Sequence, residues 1–310
     1  MVLINPLNSF LWMLRRNERD IVNFYNFLTP FVQVATGGNM INFGYWNKNT
    51  KNPLQAQYEL CTLMGEFADL HSARKVMDVG SGFSAPAIHW KSRYNFLTIV
   101  CININLQQLE AATKIVPSIA YYKDASISQT IDINGVITLA NATATILPFV
   151  DHCVDRVVAL ESAQHFKPLI QFIRESRRVL KYDGLLVIAI PVITTVLTAS
   201  LMQFIKLGIL SLTWASEHYK LTNIKSIIAN EGFTIKDILF IGSHVYAPLT
   251  NYYIQNRKIF KDIIMKERQS YFQNILYNRA ENIVYKSALK MKDLSEKGII
   301  DYVLIKATKS

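Results

Sequence analysis

The chain of 310 residues is predicted to form an α/β fold, a Rossmann-like seven-stranded, mostly parallel sheet with helices on both faces and a helical cap. Three observations predict it. From Val76 onward, short apolar runs alternate with amphipathic stretches. The first run leads through a glycine-rich turn, "VMDVGSGFS", into a helical pattern. Half of the residues are hydrophobic (50%), enough to bury a sizeable core.

The strands follow in order. "VMDV" (76–79) opens the sheet, and "FLTIVCI", "VITLA", "DRVVAL", "LLVIAI", "FTIKDILFIG" and "IIDYVLIKA" continue it, each short, apolar and rich in β-branched residues. Between them "NLQQLEAATKI" and "PLIQFIRESRRVL" carry apolar residues at helical spacing. "LTNIKSIIANEG" does the same and ends in Gly232, a C-terminal cap. Three segments fall outside this rhythm, and they set the expected division of the chain. Residues 1–70 form an N-terminal helical cap region, and 71–246 the Rossmann-like core with an insertion at 192–219. Residues 247–297 form a helical insertion, and 298–310 supply the last core strand. Insertions of that length build lids and substrate walls, so "VITTVLTASLMQFIKLGILSLTW" is expected to line a pocket.

Thirty-three Lys and Arg against 23 Asp and Glu leave a formal charge of +10, which favours anionic partners without choosing among phosphorylated substrates, acidic lipids and nucleic acid. Much of the excess lies in "NRKIFKDIIMKER" (256–268) and in Arg279, Lys286, Lys290, Lys292 and Lys297, interleaved with apolar residues as on a solvated helix face. Peripheral contact with a membrane stays open on this basis. A membrane span is not expected, because the run Leu185–Phe204 contains Pro191 and reads as a strand followed by a helix. The opening "MVLINPLNSFLWMLRRNERD" places its charges after its apolar stretch and is a poor secretory signal. Cys61, Cys101 and Cys153 are odd in number and far apart, which suits a reducing, cytoplasmic compartment better than a disulfide framework or a zinc site. No His, Cys, Asp and Glu cluster has metal-ligand spacing, although a magnesium ion held by a substrate diphosphate would leave little trace.

In "KVMDVGSGFS" an acid ends the strand, Gly80 and Gly82 permit a tight turn and close backbone approach, and the helix that follows offers amides to a ligand. This stretch resembles the first motif of class I S-adenosylmethionine-dependent methyltransferases. "NATATILPFVDHCVDRVVALESAQHF" and "FIRESRRVLKYDGLLVIA" are similar to that family's next blocks, in order and at suitable spacing. "INFGYW" (41–46) and "IIDYVLIKATK" resemble its small-molecule branch, which acts on polyketides, sugars, isoprenoids and related secondary metabolites.

The resemblance implies S-adenosyl-L-methionine as cofactor, held by Asp78 and the Gly80-Ser81-Gly82 turn. It implies a ribose contact at Asn103, where relatives often carry an acid, shared with Gln108, and an adenine contact at Asn141 and Ala142, with Thr143 as the alternative by spacing. Tyr45 and Trp46 are expected to fold over the cofactor or to pack as ordinary aromatics. Asp183 replaces a glycine of the family pattern in a left-handed position that Asp tolerates.

At the mouth of the fourth predicted strand, His165 and Glu161 are the residues placed to take a proton from an acceptor. By residue type alone His165 is equally a satisfied side chain at a strand end, and Gln164 stands where some relatives have a second histidine. His218 and His244 read as structural. The expected substrate is an apolar small molecule methylated on a hydroxyl. C-methylation of an isoprenoid or its diphosphate, and a binding protein that keeps the fold without catalysis, are the competing readings. Nucleic acid is not an expected substrate, because the basic residues are dispersed and no asparagine-proline-proline-aromatic signature occurs.

Overall fold

The computed structural model describes residues 17–115, 119–122, 136–194, 219–266 and 271–309. The seven expected strands are present: β1 (Lys75–Val79), β2 (Thr98–Asn103), β4 (Ile137–Asn141), β5 (Val154–Leu160), β6 (Leu180–Ile193), β7 (Phe233–Phe240) and β8 (Ile300–Lys309). A short β3 (Ile119–Tyr122) adds an eighth at the edge. The order is β3-β4-β2-β1-β5-β6-β8-β7. All pairings are parallel up to β6, and β8 then inserts antiparallel between β6 and β7.

Residues alternate between the two faces. Val76, Ile99, Val158 and Val187 enter one core with Leu60 and Met64 of α2 (Pro53–Phe67) and Trp90 of α3 (Ala85–Arg93). Met77, Val100, Val157 and Ile188 enter the other with Phe172 and Ile173 of α5 (Leu169–Val179) and Ile224 and Ile228 of α6 (Leu221–Asn230). This one-residue alternation is what a sheet covered on both faces requires. Gly232 follows α6 with φ 78°, and Asp183 has φ 59°, both left-handed as the sequence predicts.

Local chemistry sets the other helices. α1 (Glu18–Thr36) opens with a reciprocal capping box between Asn17 and Asp20 and stops at Gly37, φ 74°. α2 begins at Pro53 under an Asn52 cap. α4 (Leu106–Ala112) follows β2. The region after β7 forms α7 (Tyr246–Lys266) and α8 (Tyr271–Glu296) before β8. Most of the 192–219 insertion, including His218, and residues 1–16 lie outside the described residues. None of the described helices is long and apolar enough to cross a membrane.

Candidate active site

Chain order turns back on itself at β1, with β2 on one side and β5 on the other, so the loops leaving these two strands diverge. A crevice at such a switch point is where parallel α/β sheets bind ligands. Here it is a cavity of about 1040 Å³, counted with its open mouth, at the carboxyl ends of β1, β2, β4 and β5. Asp78, Gly80, Ser81, Gly82, Asn103, Gln108, Ala142, Thr143, Glu161 and His165 all line it. Asn141, Tyr45 and Trp46 are not among the lining residues.

The turn after β1 is held from two directions. Gly80 N and Ser81 N both donate to Ile102 O on β2 (2.7 and 3.0 Å), and Ser162 Oγ donates to Val79 O (2.6 Å) from the mouth of β5. Gly80 has φ 78°, and a Cβ there would stand 2.3 Å from Ser162 Cβ. The close approach that requires glycine is therefore to the neighbouring loop, and a side chain at this position forces the two loops apart. Asp78 is 1% exposed, and its Oδ2 has no hydrogen-bond partner. Burial pushes its carboxyl up from the usual range to about 7. A buried carboxylate oxygen without a partner is costly unless a donor arrives, and the ammonium of a methionine moiety is such a donor. Asp78 and the turn thus fit the cofactor that the sequence implies.

Three expected contacts have other partners. Asn103 Nδ2 donates to Gly82 O (3.0 Å) and Gln108 Oε1 (2.9 Å), and its Oδ1 accepts from Asn105 N (3.3 Å). These bonds engage both ends of the amide in holding the turn and α4 together, which a charged acid could not do, having no donor. Asn141 Nδ2 donates to Asn103 O and Ile104 O (2.8 and 3.0 Å), tying β4 to the end of β2. On that edge Ala142 and Thr143 face the cavity instead. Tyr45 stacks on His244 with ring centroids 4.8 Å apart, and Trp46 packs on Tyr252 at 5.5 Å. His244 Nδ1 lies 3.0 Å from Trp46 O. The two aromatics anchor their segment, while Met40, Ile41 and Asn42 turn to the cavity.

At the mouth of β5, Glu161 takes a left-handed backbone, φ 50°, strained for a residue with a side chain. Its Oε1 accepts from Phe43 N (2.9 Å) and from the Tyr302 hydroxyl (3.0 Å). Burial raises its carboxyl to about 8, against these two bonds, which pull it down. His165 Nε2 lies 2.8 Å from the Tyr25 hydroxyl, and the two rings meet edge to face at 5.3 Å. Tyr25 was not singled out in the sequence, since nothing local marks a tyrosine on a helix 140 residues away as a partner for His165.

Tyr25 belongs to a row on α1 that crosses the cavity. Glu18 accepts from the Thr143 hydroxyl. Asn26 Oδ1 accepts from Asn105 Nδ2 (2.8 Å), and Thr29 Oγ1 from Gln108 Nε2 (3.5 Å). Positions 18, 25, 26 and 29 share one helix face, so α1 spans the loops after β2, β4 and β5 like a bar. Among the described residues no group of His, Cys, Asp and Glu is arranged to hold a metal ion.

A profile of the family described as "Methyltransferase domain" matches residues 77–188. The chain is similar to Methyltransferase GfsG of Streptomyces halstedii, 29% identical over 188 residues that cover 60% of this chain and 63% of that protein. It is 28% identical over 156 residues to Erythromycin 3''-O-methyltransferase of Saccharopolyspora erythraea, covering 50% of this chain and 47% of that one. The matched stretch thus spans between 47% and 63% of the length of these curated relatives. The crystal structure of the [4+2]-cyclase SpnF superposes with a TM-score of 0.68 at 20% identity, covering 94% of this chain and 96% of that chain, a likeness of fold. The sheet order and the turn after β1 agree with that match: residues 77–188 match a methyltransferase domain, and the fold around them is similar to that of the solved structure above.

Proposed function

We propose that the protein is an S-adenosylmethionine-dependent methyltransferase that methylates a hydroxyl of an uncharged, largely apolar small molecule. The observation that carries this reading is the pairing of two features in one cavity: a buried acid short of a donor, Asp78, and a histidine, His165, at the mouth of β5. When bound, the cofactor supplies a sulfonium methyl that is already activated for transfer. What the chain must do is orient the acceptor, remove its proton and exclude water. Asp78 and the Gly80–Gly82 turn hold the cofactor. His165 takes the acceptor's proton at Nε2, the position now bonded to Tyr25, and α1 closes the cavity against water.

Charge separates O-methylation of a neutral acceptor from methylation of an isoprenoid diphosphate. Among the described residues that line the cavity there are three carboxylates, Glu18, Asp78 and Glu161, and no Lys or Arg. The described basic residues of α7 and α8 are not among that lining, so a diphosphate beside these acids would find no compensating cation among the described residues. The name of one relative, Erythromycin 3''-O-methyltransferase, supports a hydroxyl acceptor. A reading without methyl transfer also has a specific basis. Asn103 is engaged in holding the turn, and a protein of similar fold is described as a cyclase.

The test separates these readings. Calorimetry with S-adenosylhomocysteine is expected to show binding. Label from a methyl-tritiated cofactor is expected in the neutral, organic-extractable fraction when hydroxylated macrolactones are offered, and not with geranyl diphosphate. Label in the diphosphate alone overturns the neutral-substrate reading. Binding without transfer to any acceptor class favours the non-methylating one.

A further inference from the structure

The "INFGYW" segment before α2 holds a second buried acceptor, a residue not singled out in the sequence. Asn42 is 8% exposed, lines the same cavity as Asp78, and its Oδ1 has no hydrogen-bond partner. Asn42 and Asp78 line one cavity with the Gly80–Gly82 turn and Glu161, and Asn42 Nδ2 lies 3.9 Å from Cys61 Sγ, so that the amide oxygen is the end left without a partner. An ammonium carries three donors, so a carboxylate oxygen and an amide oxygen together can take two of them.

We propose that Asn42 is a cofactor-binding residue, accepting with Asp78 from the cofactor's ammonium, and that Glu161, braced by Tyr302, is the positioning residue that sets it there. This rests on the cofactor reading above. The backbone around Asn42 is fixed on both sides. Gln57 Nε2 donates to Met40 O (3.0 Å) and Asn42 O (2.8 Å), and the next amide, Phe43 N, donates to Glu161 Oε1. The Tyr302 hydroxyl, from β8, donates to that same Oε1 and fixes the carboxyl group in turn. A carboxyl group whose Oε1 already holds a backbone amide and a phenol is built as a strut. Glutamine retains an Oε1 that can accept both bonds, so Glu161→Gln preserves the strut and Glu161→Ala removes it.

The experiment is calorimetry of the full chain with S-adenosylhomocysteine and with its analogue lacking the amino group. Asn42→Ala and Glu161→Ala are each expected to weaken S-adenosylhomocysteine binding roughly tenfold or more, the scale of a hydrogen bond to a charged group. The double variant should be no weaker than either single one, because Glu161 acts through the segment that carries Asn42. Glu161→Gln should stay within about threefold of the parent, and Asn42→Ala should leave affinity for the deaminated analogue unchanged. Parent-like affinity in Asn42→Ala overturns the proposal, as do additive losses in the double variant. A Glu161→Gln protein as weak as Glu161→Ala does the same. If Glu161→Ala does not fold, Glu161→Gln and the two ligands on Asn42→Ala still decide. A parent chain that binds neither ligand sinks the cofactor reading itself, an outcome distinct from those above.

Discussion

Two buried carboxylates in this protein have opposite surroundings. Glu281, in the α7–α8 pair, is 6% exposed and receives Arg257 Nε (2.6 Å), Lys261 Nζ (3.0 Å) and the Tyr253 hydroxyl (2.7 Å). Burial alone would raise its carboxyl, but hydrogen bonds from these groups outweigh it and hold the acid at about 2. Asp78 is more deeply buried, has an oxygen with no partner, and sits at about 7. The difference teaches what each acid is for. An acid that joins two helices is supplied with its cations by the chain. On the cofactor reading proposed above, Asp78 is given no cation by the chain because the ligand brings one.

Asp78→Asn tests the contrast most severely. Cofactor binding should fall by two orders of magnitude or more, roughly the scale of breaking charge-assisted hydrogen bonds in a buried site, as calorimetry would measure. Stability should move the other way. A carboxyl raised to about 7 contributes stability that is fully present below its unfolded pKa and is lost as pH rises through 7. The variant should therefore melt higher than the parent at pH 8, with the gain vanishing near pH 4. In the parent, cofactor affinity should fall as pH drops below about 7, because the proton competes with the ammonium for Asp78.

His165→Ala should lower turnover about a hundredfold with cofactor affinity nearly intact, the usual scale for a positioned base. Tyr25→Phe should lower it less, about tenfold, by releasing both the ring of His165 and one tie of α1. Turnover per folded molecule that is unchanged in His165→Ala would make the histidine structural and leave positioning alone as the catalytic account.

Glu281→Gln should leave cofactor affinity unchanged and act on stability alone. Two cations left beside a buried amide should cost about 3 kcal/mol, read by denaturant unfolding. Because the acid is depressed, its contribution is present above its unfolded pKa and is lost as pH falls toward 2, opposite to Asp78. A change in cofactor affinity here would break the division between the two acids.

Most of the fold, and the turn that lines the cavity, were legible in the chain because their signals are local. A strand covered on both faces must be apolar throughout, as "VMDV" and "LLVIAI" are. A turn with φ 78° at Gly80 needs glycine, and Asp183 stands left-handed where the resemblance places a glycine. Side-chain partners are a different matter. Asn103, Asn141, Tyr45 and Trp46 have side chains suited to a ligand, but a side chain that can bind a ligand can equally bind the protein. Which it does depends on neighbours distant in sequence: Gly82, Ile104, His244 and Tyr252.

The sequence by itself determined the sheet, its switch point and the acid at the end of β1, since hydrophobic period and turn chemistry are properties of contiguous residues. Only the tertiary structure decided that Tyr25 meets His165 across 140 residues, that Tyr302 braces Glu161 across 141, and that Asn42 shares its cavity with Asp78. Those pairings arise when the sheet closes and α1 lies across its loops. No run of adjacent residues encodes them.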